Sequence, residues 1–358
     1  MVTNSSPRIY TLDVAKGIGI LLVVFAHINY TPVIIDTIYS FHMPLFFILS
    51  GILYDKMRYK NFSFFIKRKL QTLIFPYIFI YLIALFYIYG SQILVLGFES
   101  FDIKMFAFDF LQMFLSQGSA NVVSAPLWFV LCLFFVEILY YFICKLNVKL
   151  SFIITTVLVG FGWLLESGII PFDNTLLPWS LDSALFALGF FFIGNQLSET
   201  IKITIQKLKT IKYKETVLVV IFILSIAIII PLALYNGHVS LGSKILNNGF
   251  IFYLTGIIGT IGIICLSIML EKNKFLRYCG RNSFYIMGIH CLIRNTIYSA
   301  YSILGIPLYD KYNFVQTLIP FIIVVFLSLV FVLIYNKLKE ILLHSFQKNV
   351  YKRMNKHE

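Results

Sequence analysis

Four residues near the start of the chain carry side chains that move protons or hold charge, where a plain membrane anchor would carry none. Asp13, Lys16 and His27 interrupt one apolar run, residues 11–30, and His42 interrupts the next, residues 39–54. Lys16 and His27 are eleven residues apart, about three helical turns, so their side chains leave the same face roughly 16 Å apart. Asp13 precedes Lys16 by three residues, the spacing of an ion pair along a helix. Eight residues join the two runs. That length predicts a helical hairpin whose return brings His42 to a depth close to that of His27. An imidazole with an ordinary pKa of about 6.5 gains and loses a proton near neutral pH. The pattern therefore suits His27 as a general base or nucleophile, with Asp13 orienting Lys16 three turns below. Plainer readings stand beside this one: Lys16 as a snorkelling topology charge, and His42 as a hydrogen-bonding link between helices.

The elements that position these residues follow from composition. Of 358 residues, 59% are hydrophobic and 13% charged, with a mean hydropathy of +0.87, which belongs to an integral membrane protein. Ten apolar runs approach the roughly 20 residues that span a bilayer: 11–31, 35–54, 70–90, 126–144, 150–167, 179–197, 216–235, 247–270, 284–304 and 315–336. The expected fold is an all-α polytopic bundle of about ten transmembrane helices. Residues 1–340 would form the membrane domain and 341–358 a basic cytoplasmic tail. With the N-terminus in the cytoplasm, 25 of the 29 lysines and arginines fall in inner segments, which predicts that both termini are cytoplasmic. The net charge of +13 is then a topology signal, and no nucleic-acid partner is expected. The five cysteines have no metal-ligand spacing, and no phosphate-binding glycine loop or serine triad is visible. No metal is expected.

Further ionisable residues lie within predicted spans: Glu137, Asp182, and the pair His290 and Arg294, spaced i,i+4 on one helix face. Each costs about 2.5–3.5 kcal/mol to insert, so such groups turn toward a bundle interior or a cavity. An enzyme site and the substrate path of a secondary transporter or lipid-linked sugar flippase both fit that pattern. The concentration of polar residues on the first hairpin favours the enzyme.

Longer motifs carry a resemblance. LDVAKGIGILLVVFAH (12–27) followed by FHMPLFF (41–47) resembles the start of membrane acyltransferase family 3 proteins, and the fucose 4-O-acetylase-like branch is the most similar part of that family. KRKLQTLIFPY (67–77), LWF (127–129), LPWSLDSALFALGFF (177–191) and GRNSFYIMGIH (280–290) also resemble that branch. Two positions depart from the wider family. Lys69 and Thr72 stand where many relatives carry paired arginines, and Leu133 stands where other branches place a glutamate. The resemblance implies an O-acetyltransferase of the bacterial cytoplasmic membrane, moving acetyl from cytoplasmic acetyl-CoA to a sugar hydroxyl of an envelope glycan or lipid-linked saccharide. Another short acyl donor, such as succinyl-CoA, is the alternative. It also implies catalysis by His27 with Asp13 and Lys16, and CoA binding by Lys16, Arg68 and Lys69. His42, Trp128, Glu137, Asp182, His290 and Arg294 would line the substrate passage. Many relatives add a C-terminal SGNH-type esterase domain. None follows here, so transfer is expected within the membrane domain or through a separate partner.

Overall fold

The computed structural model describes residues 8–115, 125–166, 177–305 and 308–354. Among them the chain is helical, with a single isolated bridge between Ser240 and Ile245. This is the expected outcome for a chain that must satisfy its backbone polar groups without water. In order, the helices are α1 (Tyr10–Ala26), α2 (Pro32–Tyr39), α3 (His42–Leu53), α4 (Phe62–Lys69) and α5 (Phe75–Leu96). There follow α6 (Ile103–Leu115), α7 (Trp128–Ile143), α8 (Val148–Glu166), α9 (Leu181–Gln196) and α10 (Ser198–Thr210). The last five are α11 (Lys214–Asn236), α12 (Gly249–Met269), α13 (Lys274–Arg281), α14 (Ser283–Ile303) and α15 (Phe314–Met354).

Among the described residues, six helical stretches are long and apolar enough to cross a membrane, or seven if α9 and α10, bent by 56°, count as one span. The other apolar runs fall on helices that are shorter or more polar. Helix α1 has 17 residues and α7 has 16, while α14 carries His290, Arg294 and Asn295. These helices carry Asp13, Lys16, Glu137, His290 and Arg294, whereas His42 lies on α3 and Asp182 on α9. Sharing a bundle interior relieves them of the demand to be apolar on every side.

Prolines disturb two predicted helices. The return arm of the first hairpin is broken between α2 and α3, because Pro44 has no N–H to donate to the carbonyl of Ser40. Thr255 Oγ1 on α12 supplies the missing donor at 3.1 Å. Pro76 likewise cannot serve the carbonyl of Thr72, and a π-helical stretch, Leu70–Ile74, joins α4 to α5. Helix α15 runs for 41 residues, about 62 Å at 1.5 Å per residue, so the predicted boundary at residue 340 lies inside a continuous helix.

Helix α1 packs against α13, α12, α14 and α3, and α3 in turn against α9 and α12. Close approach is possible because glycines face backbone. A Cβ on Gly17 would collide with the carbonyl of Leu276, and one on Gly280 with the carbonyl of Asp13. Around this centre Phe47, Phe186, Phe190, Phe191 and Phe252 are fully buried.

Just beyond α12, Glu271 ties three elements together. Its carboxylate accepts from Thr11 Oγ1 at 2.8 Å and from Lys209 Nζ at 2.6 Å. Burial alone would push this carboxyl up, but the donated hydrogen bonds outweigh it and hold the group below its ordinary value. A depressed carboxyl contributes stability above its unfolded pKa and loses it as pH falls toward the folded one. Glu271→Gln should therefore lower the unfolding temperature at pH 7 and have a smaller effect near pH 4. A loss equal at both pH values would show that the charge contributes nothing.

Candidate active site

Two cavities are strung along α1. The larger, about 940 Å³, is lined by Leu12, Asp13 and Lys16 of α1, with Arg8, Tyr54, Lys56, Asn195 and Lys202 around it. The smaller, about 100 Å³, is lined by Ile20, Val23 and His27 of the same helix. Tyr39, His42, Trp128 and the 240–243 loop complete its walls. Lys16 and His27 thus serve different chambers, as their eleven-residue spacing along one helix requires.

Two imidazoles, His27 and His42, line the small cavity, and a third, His290, packs against His27. The rings of His27 and His290 meet edge to face with centroids 5.0 Å apart. His42 lies 4.8 Å from the ring of Tyr39, which lies 6.3 Å from His27. Each imidazole is oriented the same way, with Nδ1 donating to the backbone carbonyl of a residue three or four positions earlier. The partners are Val23 for His27 at 2.8 Å, Ile38 for His42 at 2.9 Å and Met287 for His290 at 2.8 Å. This assignment leaves Nε2 of each neutral ring as a lone pair, the form that takes a proton or binds a cation; that of His290 faces the Cys291 thiol at 3.4 Å.

The end of α1 that bears His27 is pinned from outside. The last carbonyls of a helix lack internal donors and favour a cation nearby. Arg294 Nη1 donates to the carbonyl of His27 at 2.9 Å. Asn29 Nδ2 donates to Thr317 Oγ1 at 3.0 Å, and the backbone N–H of Tyr30 donates to Lys311 O at 2.7 Å. The i,i+4 pair His290 and Arg294 therefore converges on one residue: His290 meets the ring of His27, and Arg294 meets its carbonyl.

The remaining sequence-predicted residues have other surroundings. Asp13 pairs with Arg8 at 2.7 Å and with Arg281 at 3.4 Å rather than with Lys16, although Arg8, Asp13 and Lys16 all line the larger cavity. Lys69 and Glu137 are buried together at 2.7 Å, with Tyr54, Tyr59 and Phe65 around the ammonium. Arg68 is exposed, outside the lining of either cavity. Asp182, 2% exposed, binds Lys244 at 2.6 Å and accepts from the backbone N–H of Ser183 at 2.8 Å. Ser183 Oγ then donates to the carbonyl of Leu241 at 2.8 Å. Asp182 thus fastens the 240–245 loop that walls the small cavity. In that loop Gly242 lies flat against the indole of Trp128, where a Cβ would not fit.

Several neighbours of these imidazoles are not announced by the sequence. Tyr39 stands between His42 and His238, whose ring is 4.8 Å away and whose Nδ1 is 3.1 Å from Asp36. An aromatic in an aromatic-rich chain gives no signal by itself. Cys291 Sγ lies 3.4 Å from His290 Nε2, and its spacing alone matched no ligand motif. A family model described as an acyltransferase domain matches residues 9–337. No curated protein and no solved structure matches the chain.

Proposed function

The chain belongs to membrane acyltransferase family 3, and on that premise we propose that this acyltransferase is an O-acetyltransferase of the fucose 4-O-acetylase-like branch. Its donor is acetyl-CoA, and its acceptor is a sugar hydroxyl of an envelope glycan or a lipid-linked saccharide. The observation that carries this reading is the pair of cavities along α1, one basic and roomy at Lys16, one narrow and rich in imidazole at His27. A volume of about 940 Å³ lies in the range that holds a cofactor-sized ligand. Arg8, Lys16, Lys56 and Lys202 there offer charge to phosphates. A volume of about 100 Å³ holds only a few waters' worth of matter. It suits an acetyl thioester and one hydroxyl, with the sugar ring itself beyond the mouth.

In this scheme His27 Nε2 takes the proton of the acceptor hydroxyl as its oxygen attacks the thioester carbonyl. The C–S bond breaks, the ester C–O bond forms, and the CoA thiolate recovers the proton from the imidazolium. Arg294 acts through the backbone of His27 and is a positioning residue. The enzyme would sit in the bacterial cytoplasmic membrane with ten spans and both termini inside, the larger cavity facing the cytoplasm. A cysteine placed at position 60 should then be labelled only after the membrane is opened, and one at 240 in intact cells. Labelling of position 60 from outside would reverse the orientation.

Release of CoA thiol by the purified protein, given acetyl-CoA and a sugar acceptor, tests the reaction; absence of release with every acceptor class would overturn it. Within that assay, Lys16→Gln should raise the KM for acetyl-CoA more than it lowers kcat, the signature of lost uniform binding. The difference should shrink as salt screens the phosphates. An unchanged KM would remove Lys16 from the donor site.

A further inference from the structure

We propose that His27, His290 and Cys291 form a binding site for one zinc ion, and that zinc there switches the enzyme off. One donor atom from each of the three residues lies within 4.8 Å of the other two. The closest pair, Cys291 Sγ and His290 Nε2, is 3.4 Å apart. Bond lengths of about 2.0–2.1 Å to nitrogen and 2.3 Å to sulfur in tetrahedral geometry place such a pair roughly 3.6 Å apart. Closing a separation of up to 4.8 Å to that range takes a shift of roughly 1.2–1.5 Å by the His27 ring. His290 is fully buried and Cys291 nearly so, while His27 opens on the small cavity. The ion enters from that side, and a water completes its fourth position.

The surroundings of the donors point the same way. Metal-bound imidazoles almost always donate their second nitrogen to a carbonyl or carboxylate, which fixes ring and tautomer. His27 Nδ1 is already committed to Val23 O and His290 Nδ1 to Met287 O, so both Nε2 lone pairs are prepared before any ion arrives. A site of two imidazoles and one thiol, poor in oxygen, selects zinc or cobalt over magnesium or calcium. On binding, the Cys291 thiol gives up its proton to solvent and a Zn–S bond forms. The ion also takes the Nε2 lone pair that His27 needs as a base. That second consequence rests on the acetyltransferase reading; the site itself does not.

The test uses the full chain, purified in detergent and stripped of metal. Added cobalt(II) should bind at one ion per chain and give an intense near-ultraviolet thiolate-to-cobalt band with tetrahedral visible bands. Cys291→Ser and Cys291→Ala should abolish the near-ultraviolet band and weaken zinc binding at least about tenfold. In the transfer assay, zinc should inhibit the parent protein reversibly, with recovery on chelation. The two variants should keep the zinc-free rate and escape inhibition. Absence of a thiolate band in the parent overturns the site whatever the enzyme does, and so does equal inhibition of parent and variants. A band in a protein that transfers no acetyl group would sustain the site and refute the enzyme reading instead.

Discussion

His27→Ala is expected to lower acetyl transfer at saturating acetyl-CoA by about 10²–10⁴-fold, the contribution of a positioned general base, while the protein still elutes as a single species. The small cavity sets the rank among the imidazoles. His27 and His42 both line it, but only His27 stands at the end of α1, which also carries Lys16 into the larger cavity. Only His27 has its backbone fixed by Arg294 and its ring faced by a second imidazole. His42→Ala should therefore cost less than His27→Ala. Arg294→Ala, which frees the carbonyl of His27, should lower kcat with little change in KM. A well-folded His27→Ala retaining near-normal turnover would end the central claim. A greater loss at His42 would move the base to α3.

Lys69→Met alone should destabilise the protein by about 3–5 kcal/mol, because it strands the Glu137 carboxylate in the bundle interior. The paired side chains are only 12% and 8% exposed, so water cannot take over for the lost partner. The double variant Lys69→Met/Glu137→Leu should recover most of that loss, since replacing both charges by apolar groups of similar volume is often neutral or better. Thermal unfolding in detergent reads the comparison. If Lys69 instead holds phosphate, the double variant would regain stability yet show a raised KM for acetyl-CoA. The resemblance places Lys69 at the donor, whereas its nearest charge is Glu137. A single variant as stable as the parent would show that the pair is not load-sharing in the fold.

How far the site could be read in advance depends on the distance over which each feature is encoded. Helical periodicity is local, so the alignment of Lys16 with His27 and of His290 with Arg294 was legible from spacing alone. The break before Pro44 and the π-helical stretch before Pro76 were as local, yet they fell inside apolar runs whose hydropathy gave no sign of them. The 11–31 and 284–304 runs read as ordinary spans, although the helices there are the shorter α1 and the polar α14.

The sequence by itself determined that this is a helical membrane protein, that its polar residues concentrate on the first hairpin, and that Lys16 and His27 share one face three turns apart. Only the tertiary structure decided the partners: His290 against His27, Asp182 on Lys244, Glu137 on Lys69. These pairs are separated by tens to hundreds of residues, so no local period links them. In a soluble bundle an apolar stripe tells which side of a helix faces its neighbours. Here lipid and core are both apolar, the stripe is lost, and the choice of neighbour falls to glycine contacts such as Gly17 on Leu276 and Gly280 on Asp13, which steric fit across the bundle decides.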